Sequence, residues 1–585
     1  QTQATGDLPA VTVLSDTSGT GEGTAMLEIV YDLAPDADLL FASVLNGGPA
    51  GMANAIQSLT QAGADIIVDD LFIYNQSPFQ DDVIAQAAED AISAGVAYFT
   101  SAGNHGNRND ITSSVFEGDY ASSGLPLNEP GTGSTYPDIH LFAPGVFYNE
   151  ILSSGKAYLF WSDALGASAN DYDLLLYDVN FNFIAASTNI QAGNDDPFEQ
   201  LLDVRVGEFL VVARYAGAQR FLHLSVIGES EPALKYATGG FIRGQGGAER
   251  VITVAATSAQ NRSTAFNGSE SVEDFSSDGY RRVFYNRNGN PYTPGNYSST
   301  GGQVRLKPNV TAADGVQTST PGFAPFFGTS AAAPHAAAIG ALMLSARPNL
   351  TLNQMIAGMV AGALDIEGSG FDRDSGVGII MATGVLDAIT SAPSAPALQS
   401  AVASSGQVAL TFTAPSDNGG IPISGYTGQC GSKSVQGGSS PLKVSGLTNG
   451  QTYACRVAAS NAKGPGAFSN SIDALFSISA PSKPQITNID YGDEEIYVSV
   501  SVSNNGGSAI SSYTATCADG TTDYTGTSVT SRVTVSGLTN GVVYTCSATA
   551  TNANGTSTAS APSAPVTPEY IPGGLPVWLL YEAAK

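Results

Sequence analysis

The rhythm of apolar and polar positions changes three times along this chain. Up to about residue 125, short apolar runs alternate with segments of helical spacing. Leu39–Val44, Ile66–Asp70 and Val96–Ser101 are continuous enough to predict buried strands. Met52–Ala62 and Asp81–Ala94 repeat apolar residues one helical turn apart and predict helices. Strand, helix, strand, helix in that order predicts a parallel sheet with crossover helices.

Between about 130 and 230 the period shortens. Ala157–Trp161, Asp173–Tyr177, Phe183–Ala185 and Glu208–Arg214 read as strands, separated by turn-rich stretches such as 191–197 (QAGNDDP). This predicts an all-β sandwich inserted into the first domain. The parallel pattern resumes near Arg250–Ala256 and continues to about 392.

The remainder repeats itself. Val444–Gly450 (VSGLTNG) recurs letter for letter as Val535–Gly541, each followed by a Tyr and then a Cys (Tyr453 and Cys455; Tyr544 and Cys546). A period near 90 residues, alternating strands and Asn-Gly turns predict two sandwiches of about seven strands. Both copies resemble fibronectin type III modules, over about 395–567. All four cysteines lie here, as Cys430 with Cys455 and Cys517 with Cys546 inside the two copies. Pairing within each copy is the economical choice among three connectivities, and it implies an oxidising compartment.

Composition narrows the function classes. The chain has 23 basic and 52 acidic residues, a formal charge of −29 spread along its length. Such a field repels nucleic acid and anionic membranes, so both are excluded as partners. No stretch approaches the roughly 20 apolar residues of a membrane span. The chain starts at Gln1 without an initiator Met or a signal-peptide pattern, which reads as a processed or partial form.

The strongest chemical signal is 327–335 (FGTSAAAPH), followed by an Ala-rich helical run. Small residues admit close backbone packing, and Ser330 falls where the helix begins. A helix N-terminus offers unpaired N–H groups and a positive dipole end to a developing oxyanion. These residues closely resemble the nucleophile motif of subtilisin-like serine peptidases. Ser101–Asn104 (SAGN), after a buried strand, resembles the oxyanion loop of that family, with Asn104 as donor. Segments 251–256, 275–277 and 307–312 resemble the family's order before the nucleophile. The resemblance covers about 5–125 and 235–392.

One departure matters. Subtilisins order their triad Asp, His, Ser, yet the four histidines are His105, His140, His223 and His335, none before residue 100. Where the family has His-Gly-Thr opening a helix, this chain has Glu22-Gly-Thr. A carboxylate base for serine is similar to the sedolisins, which use Ser, Glu and Asp. Sedolisins place that Asp one turn after the Glu, a position held here by Met26, and carry Asp where this chain has Asn104. The chain thus resembles a group between the two families.

The carboxylate that orients Glu22 stays open. Asp16 imitates the strand-end Asp of subtilisins but lies only six positions before Glu22; the family's Asp strand is expected upstream of Gln1, which leaves Asp16 as a turn former. Asp70, ending a buried strand, is another candidate. Glu28 and Asp32 are rotated from Glu22 by roughly 120° and roughly 80° on the helix and serve its surface or packing. His105 follows Asn104 directly, too close to that loop to replace a base on another helix, and His335 is read as a packing residue.

The reading is therefore multidomain. An α/β subtilisin-like domain (1–128 and 233–392) is interrupted by a sandwich (129–232) and followed by two fibronectin type III modules (393–480 and 481–568) and a tail (569–585). The inserted sandwich resembles the pre-peptidase C-terminal type through Asp171–Asp178 (DYDLLLYD), whose carboxylates are compatible with a structural calcium ion. No other cofactor is required. The resemblance implies a secreted serine endopeptidase acting on protein or peptide, with contact to polysaccharide or cell surfaces through the sandwiches. The alternative is a degenerate peptidase fold kept as an extracellular binding protein. The apolar tail 571–581 reads as a sorting signal or a docking strand.

Overall fold

A computed structural model describes residues 6–17, 19–44, 47–129 and 131–570. Residues 571–581 of the tail lie outside it. The chain divides into a unit spanning Gln1–Thr390 and a second spanning Ser391–Lys585.

The first unit opens with β1 (Val11–Ser15), α1 (Glu22–Leu33), β2 (Leu39–Ala42), α2 (Gly48–Gln61), β3 (Ile66–Asp69), α3 (Val83–Ser93) and β4 (Ala97–Ser101). The three strands and two helices predicted here are all present. The first of those helices starts at Gly48, earlier than its apolar pattern, because Pro49 is tolerated in a first turn whose N–H groups have no helical partner. β1 and β2 form a parallel pair of their own.

A sandwich then interrupts the unit. Its strands are β5 (Val115–Asp119), β6 (Gly155–Trp161), β7 (Asp171–Tyr177), β8 (Phe183–Ser187), β9 (Phe198–Val204), β10 (Phe209–Ala216) and β11 (Phe221–Gly228). One sheet runs β9-β6-β11-β5 and the other holds β8-β7-β10. Trp161, Tyr172, Leu174, Leu176, Val212 and Leu224 fill the space between them. β5 lies upstream of residue 129, where the change of pattern set the boundary. It is an edge strand whose second half is polar, so its sequence does not announce it.

The parallel sheet resumes with β12 (Ile252–Ser258) and β13 (Val310–Asp314), then α4 (Thr329–Ala346), α5 (Leu352–Gly362), β14 (Ala363–Leu364), β15 (Ile379–Ile380) and α6 (Ala382–Ile389). The order is β14-β15-β13-β12-β4-β3, parallel except for β14 against β15. α4 lies across this sheet. Its buried alanines at 332, 333, 336 and 337 pack on Phe99, Val254 and Val310, and its small side chains bring the helix close to the strands.

A buried charged network ties the sandwich to the sheet domain. Glu117 of β5 accepts from His223 Nδ1 at 2.7 Å and pairs with Arg281. His223 Nε2 faces Arg243 Nη1 at 2.6 Å, and Arg243 Nη2 donates to the Tyr74 carbonyl at 2.8 Å. Burial acts to raise Glu117, but the Arg281 charge and the His223 hydrogen bond outweigh it and hold the carboxyl low. Burial, with Arg243 beside it, pushes His223 down to about 3. His223 is therefore neutral, donating through Nδ1 and accepting through Nε2.

The second unit contains two sandwiches, each of two antiparallel sheets. Cys430–Cys455 and Cys517–Cys546 are both bonded, each joining directly opposed residues of neighbouring strands within one sheet. The repeat has the same use in both. Tyr453 Oη accepts from Thr448 N at 3.1 Å, and Tyr544 Oη accepts from Thr539 N at 3.0 Å, pinning the turn before the strand.

Candidate active site

Three strand ends and two helix starts converge on Ser330. Ser330 is the second residue of α4, where a backbone N–H has no intrahelical carbonyl to bond. The N-cap, Gly328, has φ 106° and ψ 165°, a conformation essentially confined to glycine.

The oxyanion loop is locked to that helix start. Thr329 N and Thr329 Oγ1 both donate to Asn104 Oδ1, at 3.0 and 2.9 Å, and Gly103 N donates to Thr329 Oγ1 at 3.1 Å. With its oxygen so engaged, Asn104 turns its amide NH₂ toward the helix start. A Cβ on Gly328 would lie 3.0 Å from Asn104 Nδ2. The Asn104 amide nitrogen thus lies beside Gly328, two residues before Ser330.

α1 brings Glu22 in from the other side, as its first residue. A Cβ on Gly23 would come within 2.7 Å of the Phe41 ring on β2, so a larger residue there would displace that ring. Farther along α1, Glu28 is buried and accepts from Ser319 N at 2.6 Å, Ser319 Oγ at 2.9 Å and Thr320 Oγ1 at 2.8 Å. It anchors the loop that leads to the nucleophile. Burial raises Asp32, with the charges of Glu28 and Asp7 adding to it.

β3 delivers the remaining carboxylate. Successive residues at a strand end point to opposite sides. Asp69 turns inward, where Oδ1 accepts from Thr100 Oγ1 at 3.0 Å, Gln245 Nε2 at 3.1 Å and Leu71 N at 3.2 Å. Asp70 turns toward Ser330. Its carboxyl lies near enough to Glu22 and Ser330 for both to act on its proton affinity. Burial raises Asp70 well above the usual carboxylate range, and the charges of Glu22 and Asp69 add to this, while the Ser330 hydroxyl acts the other way. A neighbouring carboxylate disfavours a second negative charge, so Asp70 holds its proton more readily beside Glu22.

The structure therefore brings together Ser330, Asn104, Glu22 and Asp70. Asp16 is exposed after β1, and no contact among the described residues joins it to Glu22. His105 stacks on Phe241 at 4.1 Å and is pushed down to about 3 by burial, with the Arg243 charge adding to it. His335 Nδ1 bonds the Ala331 carbonyl at 2.8 Å. Among the described residues, no group of three or more His, Cys, Asp or Glu side chains is arranged to hold a metal ion. The role of Thr329 as clamp of Asn104 was not read from the sequence, although its place beside the serine was a signal.

A family model described as the subtilase family matches residues 179–378, and one for the fibronectin type III domain matches residues 479–566. The first span includes Ser330 and lies downstream of Glu22, Asp70 and Asn104. Similar solved structures include the CspB protease of Clostridium perfringens, at 11% identity over 60% of this chain and 74% of that one, with a TM-score of 0.40. Another is the FN1–FN3 segment of chicken CNTN1, at 18% identity over 31% of this chain and 67% of that one, with a TM-score of 0.19. The chain thus carries a subtilase-family match over residues 179–378, followed by a fibronectin type III β-sandwich.

Proposed function

We propose that this protein is a serine endopeptidase in which a Glu22–Asp70 carboxyl pair replaces histidine as the general base. The observation that supports this reading is the nearness of Glu22 and the Ser330 hydroxyl to Asp70 at the end of β3, close enough for both to act on its carboxyl. Ser330 Oγ attacks the peptide carbonyl carbon as its proton passes to the pair. The Asn104 amide and the Ser330 N–H hold the oxyanion. The C–N bond then breaks, the leaving amine takes the proton back from the pair, and water hydrolyses the acyl-enzyme by the same route.

Burial and the neighbouring Glu22 charge raise Asp70, which suits it to accept a proton nearer neutrality than a free carboxylate would. In this reading Asp70 is the carboxylate partner of Glu22 that the sequence left open.

Further parts of the reading are a sedolisin-like origin of the base, secretion, a pre-peptidase C-terminal type for the inserted sandwich with structural calcium, and polysaccharide or cell-surface contact through the modules. The two disulfides support an oxidising compartment. Among the described residues, no helix is long and apolar enough to cross a membrane.

The test is turnover on casein against pH. The wild type is expected to show an acid limb that disappears with the activity in Glu22→Gln and Asp70→Asn. An acid limb near the imidazole range that persists in Glu22→Gln would overturn the carboxyl base.

A further inference from the structure

A second buried carboxyl lies behind the nucleophile. Asp314, the last residue of β13, is fully buried. Its Oδ2 accepts from Gly328 N at 2.9 Å, two residues before Ser330. Its Oδ1 is buried and receives no donor from the described residues. The charge of Glu273, from the loop after β12, acts on it. A buried carboxyl oxygen without a donor, near a second carboxylate, favours the protonated acid.

We propose that Asp314 is a positioning residue that works in its protonated form, holding Gly328, and through it Ser330 and the Asn104 clamp, in the attacking geometry. This rests on Ser330 being the nucleophile. Glu273 is the charged side chain that acts on Asp314. β12 (ITVAATS) and β15 (II) contribute no charge, and the only titratable side chain of α4 is His335, held on the Ala331 carbonyl.

Burial, with the charge of Glu273 adding to it, moves Asp314 up to about 7, while the Gly328 N–H pulls it back. Below that pH the proton sits on the buried, partnerless oxygen of Asp314. Above it, Asp314 becomes a buried carboxylate, and the turn at Gly328 loses its fixed partner. Turnover should then fall while substrate binding, made elsewhere, is unchanged.

The experiment compares kcat and KM of wild type and Asp314→Asn from pH 5 to 9, with thermal melting over the same range. Asn keeps an acceptor for Gly328 N–H and stays uncharged throughout that range. The wild-type kcat is expected to fall up to about tenfold per pH unit above the titration, at constant KM, as for loss of one required proton. Asp314→Asn should keep kcat within about threefold at pH 6 and lose that alkaline fall. Superimposable alkaline limbs would overturn the proposal.

Melting separates this failure from failure of the catalytic reading. A carboxyl whose folded pKa is raised binds more protons folded than unfolded, so stability falls as pH rises from about 4 to about 7. That slope should be present in wild type and shallower in Asp314→Asn, whether or not the protein turns over substrate. Parallel melting curves would refute the protonated form of Asp314. A wild type that melts as expected but never hydrolyses casein would refute the peptidase reading instead.

Discussion

Gly328→Ala perturbs the site through one methyl group. The backbone there has φ 106° and ψ 165°, which costs a non-glycine residue of order 1–3 kcal/mol. Unfolding entropy of about 2.1 cal/mol/K per residue gives roughly 0.8 kcal/mol/K over the Gln1–Thr390 unit. The strain alone should therefore lower Tm by only about 1–4 °C.

The catalytic cost should be larger. The new Cβ lies 3.0 Å from Asn104 Nδ2, tighter than carbon and nitrogen normally approach, so the amide must move away from the oxyanion position. Loss of one such donor costs about 10²–10³ in kcat, a magnitude set by subtilisin and not by this geometry. The assay is kcat on casein or a chromogenic peptide for Gly328→Ala, Asn104→Ala and the double variant. Both single variants should lose about 10²-fold, and the double variant should be no worse than Asn104→Ala, because both remove one interaction. A Gly328→Ala enzyme within threefold of wild type, or additive losses, would refute the assignment of the Asn104 amide to the oxyanion.

Other outcomes follow from the same structure. Asp70→Asn preserves shape but cannot accept a proton, and should lower kcat by about 10²–10⁴ with little change in Tm, measured by steady-state kinetics and melting. Glu117→Gln leaves Arg281 buried without its countercharge, at a cost of about 3–5 kcal/mol and a Tm lower by about 4–6 °C in calorimetry. Replacing Cys430 and Cys455 by Ser opens a loop of separation 25 and should cost the second unit about 3–4 kcal/mol in denaturant unfolding, with the first unit unaffected.

What the sequence made legible was whatever is local. Ser330, Asn104 and Glu22 each sit in a short run whose small neighbours and element boundary are visible together. Asp70 could be named only as one candidate among several. Its role depends on the end of β3 facing the start of α1, a relation fixed by sheet order and not by spacing. Asp314 and Glu273 are 41 residues apart and meet only when β12 and β13 pair, so nothing in either segment points to the other. Glu28 was placed on the helix surface or in its packing. Its hold on the loop at 319–320, across almost 300 residues, has no sequence signature. The buried Glu117–His223–Arg243–Arg281 network was hidden for the same reason, since β5 looks like a polar edge.

The most direct test of the account is covalent labelling of the intact chain with a fluorophosphonate, with the modified residue located by mass spectrometry. A single adduct on Ser330 is expected, absent in Ser330→Ala and at least about 10²-fold slower in Asp70→Asn and Glu22→Gln. An unlabelled Ser330 in folded protein, or labelling that proceeds at the same rate without either carboxyl, would contradict it.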